Sequence, residues 1–271
     1  MNKLHFNYWM EISYSEPVTE CHYTIRCLPK DTDMQKISDL KIEITPDHDY
    51  QRSEDSFGNL TIYDNLYFLH SRFTFHISGI VETWLAVSER EAGNSAIYRY
   101  PHGLNRAGEG LKTYFEQIMQ EMSAASEHQP SSPAHSAYYT AVQLMHYLHR
   151  DFTYEKGATC MDTSAEQAWE LGKGVCQDYA HIFIALCHQA GIPARYVTGM
   201  MVGEGHTHAW VEILDHGFWY GMDPTNDCIA AGTYIKIGCG RDAKDCVINK
   251  GIVKGGGRQN QTVMVRIEEL S

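Results

Sequence analysis

The stretch that most constrains this chain runs from Gly172 to Thr225 and centres on Cys176. After the Gly172-Lys173-Gly174 break, residues 176–190 contain neither proline nor glycine, and Gly191-Ile192-Pro193 is a helix stop. Ala180, Phe183, Ile184, Cys187 and Ala190 recur at helical spacing, so the segment is expected to be a helix with one apolar stripe. Cys176 then lies in its first turn, where unpaired N–H groups and the positive dipole end favour an anion. The thiolate, the nucleophilic form of cysteine, is such an anion. The same N–H groups suit an oxyanion developing beside the sulfur.

Two strands follow. His208-Ala209-Trp210-Val211-Glu212-Ile213-Leu214 has strand composition, Asp215-His216-Gly217 is a turn, and Phe218-Trp219-Tyr220-Gly221-Met222 returns. In an antiparallel pair, His208 at the start of one strand lies near Asp223 at the end of the next. A carboxylate-held imidazole can take a thiol proton and give it to a leaving group. Cys176, His208 and Asp223 are therefore the candidate catalytic residues, in the logic of a nucleophile–base–carboxylate triad. Substrate-binding candidates are Gly174, which with Gly172 leaves room for approach; Gln177, an open candidate for a second oxyanion donor; and Trp210, which with Trp219 either walls the site or fills the core.

Competing readings are weaker. Cys187, on the apolar stripe, reads as a small hydrophobe. His206 and His208, at i and i+2, would share a strand face and with Cys176 could hold zinc, but no C-x-x-C pair is present. Gly172-Lys173-Gly174 lacks the spacing of a phosphate loop, and no calcium-loop pattern occurs. No metal or other cofactor is expected.

The motifs G-V-C-Q-D-Y-A-H, G-I-P-A-R-Y-V, H-A-W-V-E and W-Y-G-M-D-P-T, in that order, resemble the bacterial transglutaminase-like superfamily, whose members are often described as cysteine proteases. The resemblance spans roughly residues 137–240. It implies a papain-like core with Cys176 as nucleophile, His208 as base and Asp223 as its orienting carboxylate. It also implies acyl transfer at a peptide or protein amide, most simply by hydrolysis. True cross-linking, or a binding scaffold with a relic site, are the alternatives; scaffolds of this kind usually lose the cysteine or histidine, and all three positions are filled here.

The first hundred residues read as β structure. Leu4, Phe6, Tyr8, Met10, Ile12 and Tyr14 alternate with polar neighbours, as do Cys21, Tyr23, Ile25 and Cys27. Short strands are expected at 41–45, from Leu60 after the Asp55-Ser56-Phe57-Gly58-Asn59 turn, and through 67–77, together making a sandwich. That turn also resembles the β domain often attached to this superfamily. The expected fold is α+β: an antiparallel β-sandwich over 1–100, a helical connection and linker over 101–136, and the papain-like core over 137–271. Within it, Glu109 to Met122 favours helix, Ser123 to Pro133 reads as linker, and helix resumes after Ser136. Thr163-Ser164-Ala165-Glu166 reads as a capping box. Arg241 and Asp242 read as a structural pair, and the tail after Asn226, with strands at 234–238 and 262–267, is expected to complete the core sheet.

Composition narrows the partners. Of 271 residues, 43% are hydrophobic and 11% aromatic, ample for a packed core, while the formal net charge is −12 with no Lys/Arg block. That argues against nucleic acid or an anionic membrane as partner. No apolar run approaches a membrane span, and the first residues lack a signal-peptide pattern. A cytoplasmic location is therefore expected, with all eight cysteines as free thiols. Oligomeric state is not legible.

Overall fold

The computed structural model describes residues 1–84, 88–91, 93, 95–126, 136–203 and 205–270; most of the expected linker, 127–133, lies outside them. In chain order the first strands are β1 (Asn2–Leu28), β2 (Gln35–Thr45), β3 (Gln51–Glu54), β4 (Leu60–Leu66), β5 (His70–Thr83) and β6 (Ser88–Arg90). Then come α1 (Glu109–Ser126), α2 (Ala137–Asp151), β7 (Thr153–Tyr154), α3 (Ala165–Leu171), β8 (Lys173–Gly174) and α4 (Cys176–Gln189). The chain continues through β9 (Ala194–Met201), β10 (His208–Asp215), β11 (Phe218–Asp223), β12 (Cys228–Ile229), β13 (Tyr234–Gly240), β14 (Asn249–Gly255) and β15 (Gln259–Glu269).

The two alternating segments at the start are one strand. β1 buries Leu4 to Tyr14 at even positions and Cys21 to Cys27 at odd ones, with the phase changing across exposed Ser15, Glu16 and Pro17. Along one edge, β5 and then β4 pair with it antiparallel, from Asn2↔Thr83 to Leu28↔Leu60. Along the other, β15 pairs from Leu4↔Glu269 to Tyr14↔Gln259, and β14 from Val18↔Gly255 to Ile25↔Asn249. β14 and β15 thus act as a single broken strand, interrupted where Gly255, Gly256 and Gly257 adopt positive φ opposite the phase change. The expected β-rich N-terminal region is present, and all its strands are joined through β1 in one hydrogen-bonded seven-stranded sheet shaped as a half-barrel.

Of the tail, β13 does complete the core sheet, whereas β14 and β15 belong to the N-terminal one. The alternation in residues 259–267 predicts a strand but carries no information about its partner, and the long open edge of β1 is what it fills. The core sheet runs β12-β11-β10-β9-β13, and β6 joins it against β11. β6 thus joins the core sheet although it lies within residues 1–100, and β14 and β15 join the N-terminal sheet although they lie within 137–271.

The two sheets are fastened by side chains acting as a strand. β13 lies at the edge of the core sheet. The buried Gln35 amide donates to the Lys236 carbonyl at 2.8 Å and accepts from Lys236 N–H at 2.8 Å. Buried Asn59 does the same with Cys239, at 2.8 Å each way. Asp55 shapes the turn that delivers Asn59, accepting from the N–H groups of Phe57 and Asn59. Met200, Ile235 and Ile237 of the core then pack into the hydrophobic interior of the N-terminal sheet.

α4 is central. Ala180, Phe183, Ile184 and Cys187 are buried as expected, but so are Tyr179, His181, Ile182, Ala185 and Leu186. A helix buried all round packs on several partners, here α1, α2, α3, β9 and β10. Each large apolar side chain it buries contributes about 1.5–3 kcal/mol. The capping box of α3 sits one residue later than expected: Ser164 Oγ accepts from Gln167 N–H, and the Gln167 side chain returns to Ser164 N–H. Glu166 is thereby released to cap α1, accepting from Gly108, Gly110 and Leu111 N–H at 2.7, 2.6 and 3.2 Å. Glu166→Ala is expected to cost about 2 kcal/mol through loss of these charge-assisted bonds, read as a lower urea midpoint at unchanged m-value.

Candidate active site

Cys176 opens α4 and is half-buried. The N–H groups of Asp178 and Tyr179 turn back onto the Val175 carbonyl. Those of Cys176 and Gln177 are first-turn donors with no intrahelical acceptor. The Asp178 carboxylate folds back to accept from Val175 N–H at 2.7 Å and Thr159 Oγ1 at 2.6 Å. A Cβ on Gly174 would collide with that carboxylate. Gly174 is thus a glycine because Asp178 fills the space beside it, not to admit a substrate. Gly172, at φ +69, is the left-handed cap of α3.

β10 and β11 pair antiparallel from Val211↔Met222 to Asp215↔Phe218, which carries His208 and Asp223 to the same end of the sheet. His208 Nε2 donates to Asp223 Oδ2 at 2.7 Å, and both residues are buried. Because Nε2 is taken, Nδ1 is the nitrogen left for the thiol. Burial opposes charge on this imidazole, but the Asp223 hydrogen bond and the adjacent Cys176 side chain outweigh it and push His208 up to about 10. The imidazolium needed beside a thiolate is thus favoured at neutral pH.

Asp223 is held in turn. Oδ2 also accepts from Tyr234 OH at 2.8 Å and Asn226 Nδ2 at 2.7 Å, while Oδ1 accepts from Thr225 and Asn226 N–H at 2.9 and 3.2 Å. Burial raises its carboxyl pKa, but the bonds from His208, Asn226 and Tyr234 prevail and lower it. Asn226 directly follows the D-P-T motif and was within reach of sequence reasoning. Tyr234 comes from β13, and no spacing in the sequence marks it.

The remaining candidates separate. Gln177 lines a cleft of about 350 Å³ beside the site, although its side-chain amide donates to the Met161 carbonyl at 3.3 Å. Trp210 is buried with Val197, Ala230, Tyr234 and Cys239; it stacks along His208 as a core wall and does not line that cleft. Trp219 is buried elsewhere, against Tyr98 and Arg195. His206 lies exposed before β10 begins, so the shared strand face that a zinc reading needs does not exist. Among the described residues no three His, Cys, Asp or Glu side chains gather as a metal site. Arg241 pairs with Asp245, not with Asp242, which accepts from Leu104 and Lys244 N–H. Tyr196 and Thr198 of β9 complete the cleft floor, and Tyr8, Asn249, Gln261 and Val263 of the N-terminal sheet and tail form its far wall.

A thiol at a helix start, an imidazole and a carboxylate at one end of a sheet define the papain-like core of a cysteine-dependent enzyme family. Residues 125–224 match the transglutaminase-like superfamily core, and residues 4–82 match the bacterial transglutaminase-like N-terminal region. The chain thus carries a transglutaminase-like core with the bacterial transglutaminase-like N-terminal region attached. It is 28% identical to an uncharacterized protein of Mycobacterium leprae, over 95% of each chain. It is 27% identical to one of Mycobacterium tuberculosis, over 90% of this chain and 85% of the other. The fold is similar to a crystal structure from Cytophaga hutchinsonii described as a "putative cysteine protease", with TM-score 0.70, 20% identity, and 100% of this chain and 91% of that one covered.

Proposed function

We propose that this protein opens amide bonds of peptide or protein substrates through a thioester on Cys176, with water as the usual acceptor. The observation that carries the reading is the 2.7 Å His208–Asp223 bond, which leaves the other imidazole nitrogen for the Cys176 thiol. The thiolate sulfur attacks the carbonyl carbon, and the first-turn N–H groups of α4 receive the oxyanion. The His208 imidazolium protonates the leaving amine as the C–N bond breaks, giving the thioester and a neutral imidazole. His208 then takes a proton from water as it attacks the thioester; the acid leaves and the thiolate–imidazolium pair is restored. An amine could resolve the same thioester. The eight free cysteines and the net charge of −12 support a cytoplasmic setting and a substrate that is not nucleic acid.

The test is the rate of iodoacetamide labelling between pH 5 and 9, read peptide by peptide by mass spectrometry. Near pH 6 Cys176 is expected to label well ahead of the exposed Cys160, and His208→Ala is expected to remove that lead. If Cys176 in the unaltered protein labels no faster than Cys160, no poised nucleophile exists and the reading fails.

A further inference from the structure

The thioester mechanism needs more than the helix start, because an oxyanion-hole donor opposite the backbone N–H groups does much of the work in acyl transfer. Gln177 is turned towards the Met161 carbonyl. His181 is unsuitable: its Nε2 accepts from Ala243 N–H at 3.1 Å, and burial lowers its pKa to about 3. Tyr196 is different. It stands on β9, which packs against α4, and its ring lies against His181 with centroids 5.3 Å apart. The residue is only 5% exposed, yet it lines the cleft. Among the described residues its hydroxyl has no hydrogen-bond partner, and it is not among the fully enclosed orphan atoms. It is thus a buried phenol whose one polar atom opens into the cleft. Burial first, and then the nearby Cys176 sulfur, keep that phenol protonated far above neutral pH. Thr198, two residues along the same strand face, also borders the cleft.

We infer that Tyr196 is a catalytic residue whose O–H donates a hydrogen bond to the oxyanion formed when Cys176 attacks a carbonyl. The inference rests on the thioester reading and adds to it the donor that completes the oxyanion site. A neutral donor held by packing, with no partner to give up, meets the developing charge without reorganisation. The cleft then takes the acyl group between Tyr196 and the start of α4.

The experiment compares two reactions of the same sulfur, with p-nitrophenyl acetate and with iodoacetamide as probes. Acylation passes through a tetrahedral oxyanion: the S–C bond forms, the C–O bond to the nitrophenolate breaks, and the released p-nitrophenolate is read as a burst. Alkylation displaces iodide at a saturated carbon and forms no oxyanion. Tyr196→Phe is expected to slow the acylation burst about 100-fold while leaving the alkylation rate of Cys176 within about twofold. Equal slowing of both reactions would show that Tyr196 acts on the thiolate or the packing, and no slowing of either would show that it is a bystander; each overturns the inference. If the unaltered protein gives neither a burst nor preferential labelling, the thioester reading itself has failed, and the inference falls with it.

Discussion

Replacing Glu212 by alanine is expected to destabilise the protein by about 3–5 kcal/mol. Arg195 and Glu212 face away from α4 on neighbouring strands, paired directly across β9 and β10. Arg195 Nε donates to Glu212 Oε2 at 2.5 Å, and Lys236 Nζ donates to both Glu212 oxygens at 3.0 and 2.8 Å. Glu89 meets the same two cations, at 3.5 Å from Arg195 and 2.9 Å from Lys236. Arg195 also lies over the Trp219 ring, 4.2 Å from its centroid. Burial works against the Glu212 charge, and the two cations overcome it, holding its carboxyl below the usual range. Alanine would leave two buried cations sharing Glu89 alone. A buried ion pair is weak evidence for net stability, but removing one partner is costly because the other stays buried and charged. Urea denaturation measures the loss. A Glu212→Leu, Lys236→Met double variant is expected to lose less than Glu212→Ala, since it removes one of the two stranded cations and leaves Glu89 to Arg195.

Asp223→Asn should leave the fold largely intact and lower acylation of Cys176 by about 1,000-fold or more, by analogy with the loss of the orienting carboxylate in other triads. Asparagine can still accept from Thr225 and Asn226 N–H. Its amide NH₂, however, would face His208 Nε2, Tyr234 OH and Asn226 Nδ2, all donors in the native arrangement. The imidazole is then driven to carry its proton on Nδ1, where it cannot take one from the thiol. His208 is raised in the folded protein, so its contribution to stability is fully present below the ordinary imidazole pKa and is lost as pH rises through about 10. Asp223 is lowered, so its contribution is present above the ordinary carboxylate range and fades as pH falls through its folded value. In Asp223→Asn both contributions disappear. NMR titration of the His208 ring should show its pKa fall from near 10 towards or below the ordinary value. A ring that still titrated near 10 would sink this account.

How much of this was legible in the residues depends on how local each constraint is. The Gly191-Ile192-Pro193 stop and the proline-free run before it defined α4 almost to its ends. The Asp215-His216-Gly217 turn fixed the register that brings His208 to Asp223. These are interactions of near neighbours. The partner of β15 was not legible, because alternation states that a strand has two faces and is silent about which edge it joins. Gln35 and Asn59 looked like ordinary polar residues of a β region, although each supplies the pair of hydrogen bonds that one strand residue would make at the edge of the core. Trp210 read as a possible wall of the cleft, yet Gly199 across the sheet shows why it is core: a Cβ there would collide with the indole ring. Tyr196 sat inside the G-I-P-A-R-Y-V motif with nothing in its spacing to separate it from the apolar residues around it.

The way β1 is flanked has a consequence for the order in which the protein becomes competent during synthesis. The cleft's far wall draws on Tyr8 at one extreme of the sequence and on Asn249, Gln261 and Val263 at the other, while Cys176, His208 and Asp223 lie between. Once residues 1–248 have emerged from the ribosome, every strand of the core sheet and Tyr8 are present, but the part of the far wall made by Asn249, Gln261 and Val263 is not. The groove is therefore complete only when the last strand joins the first.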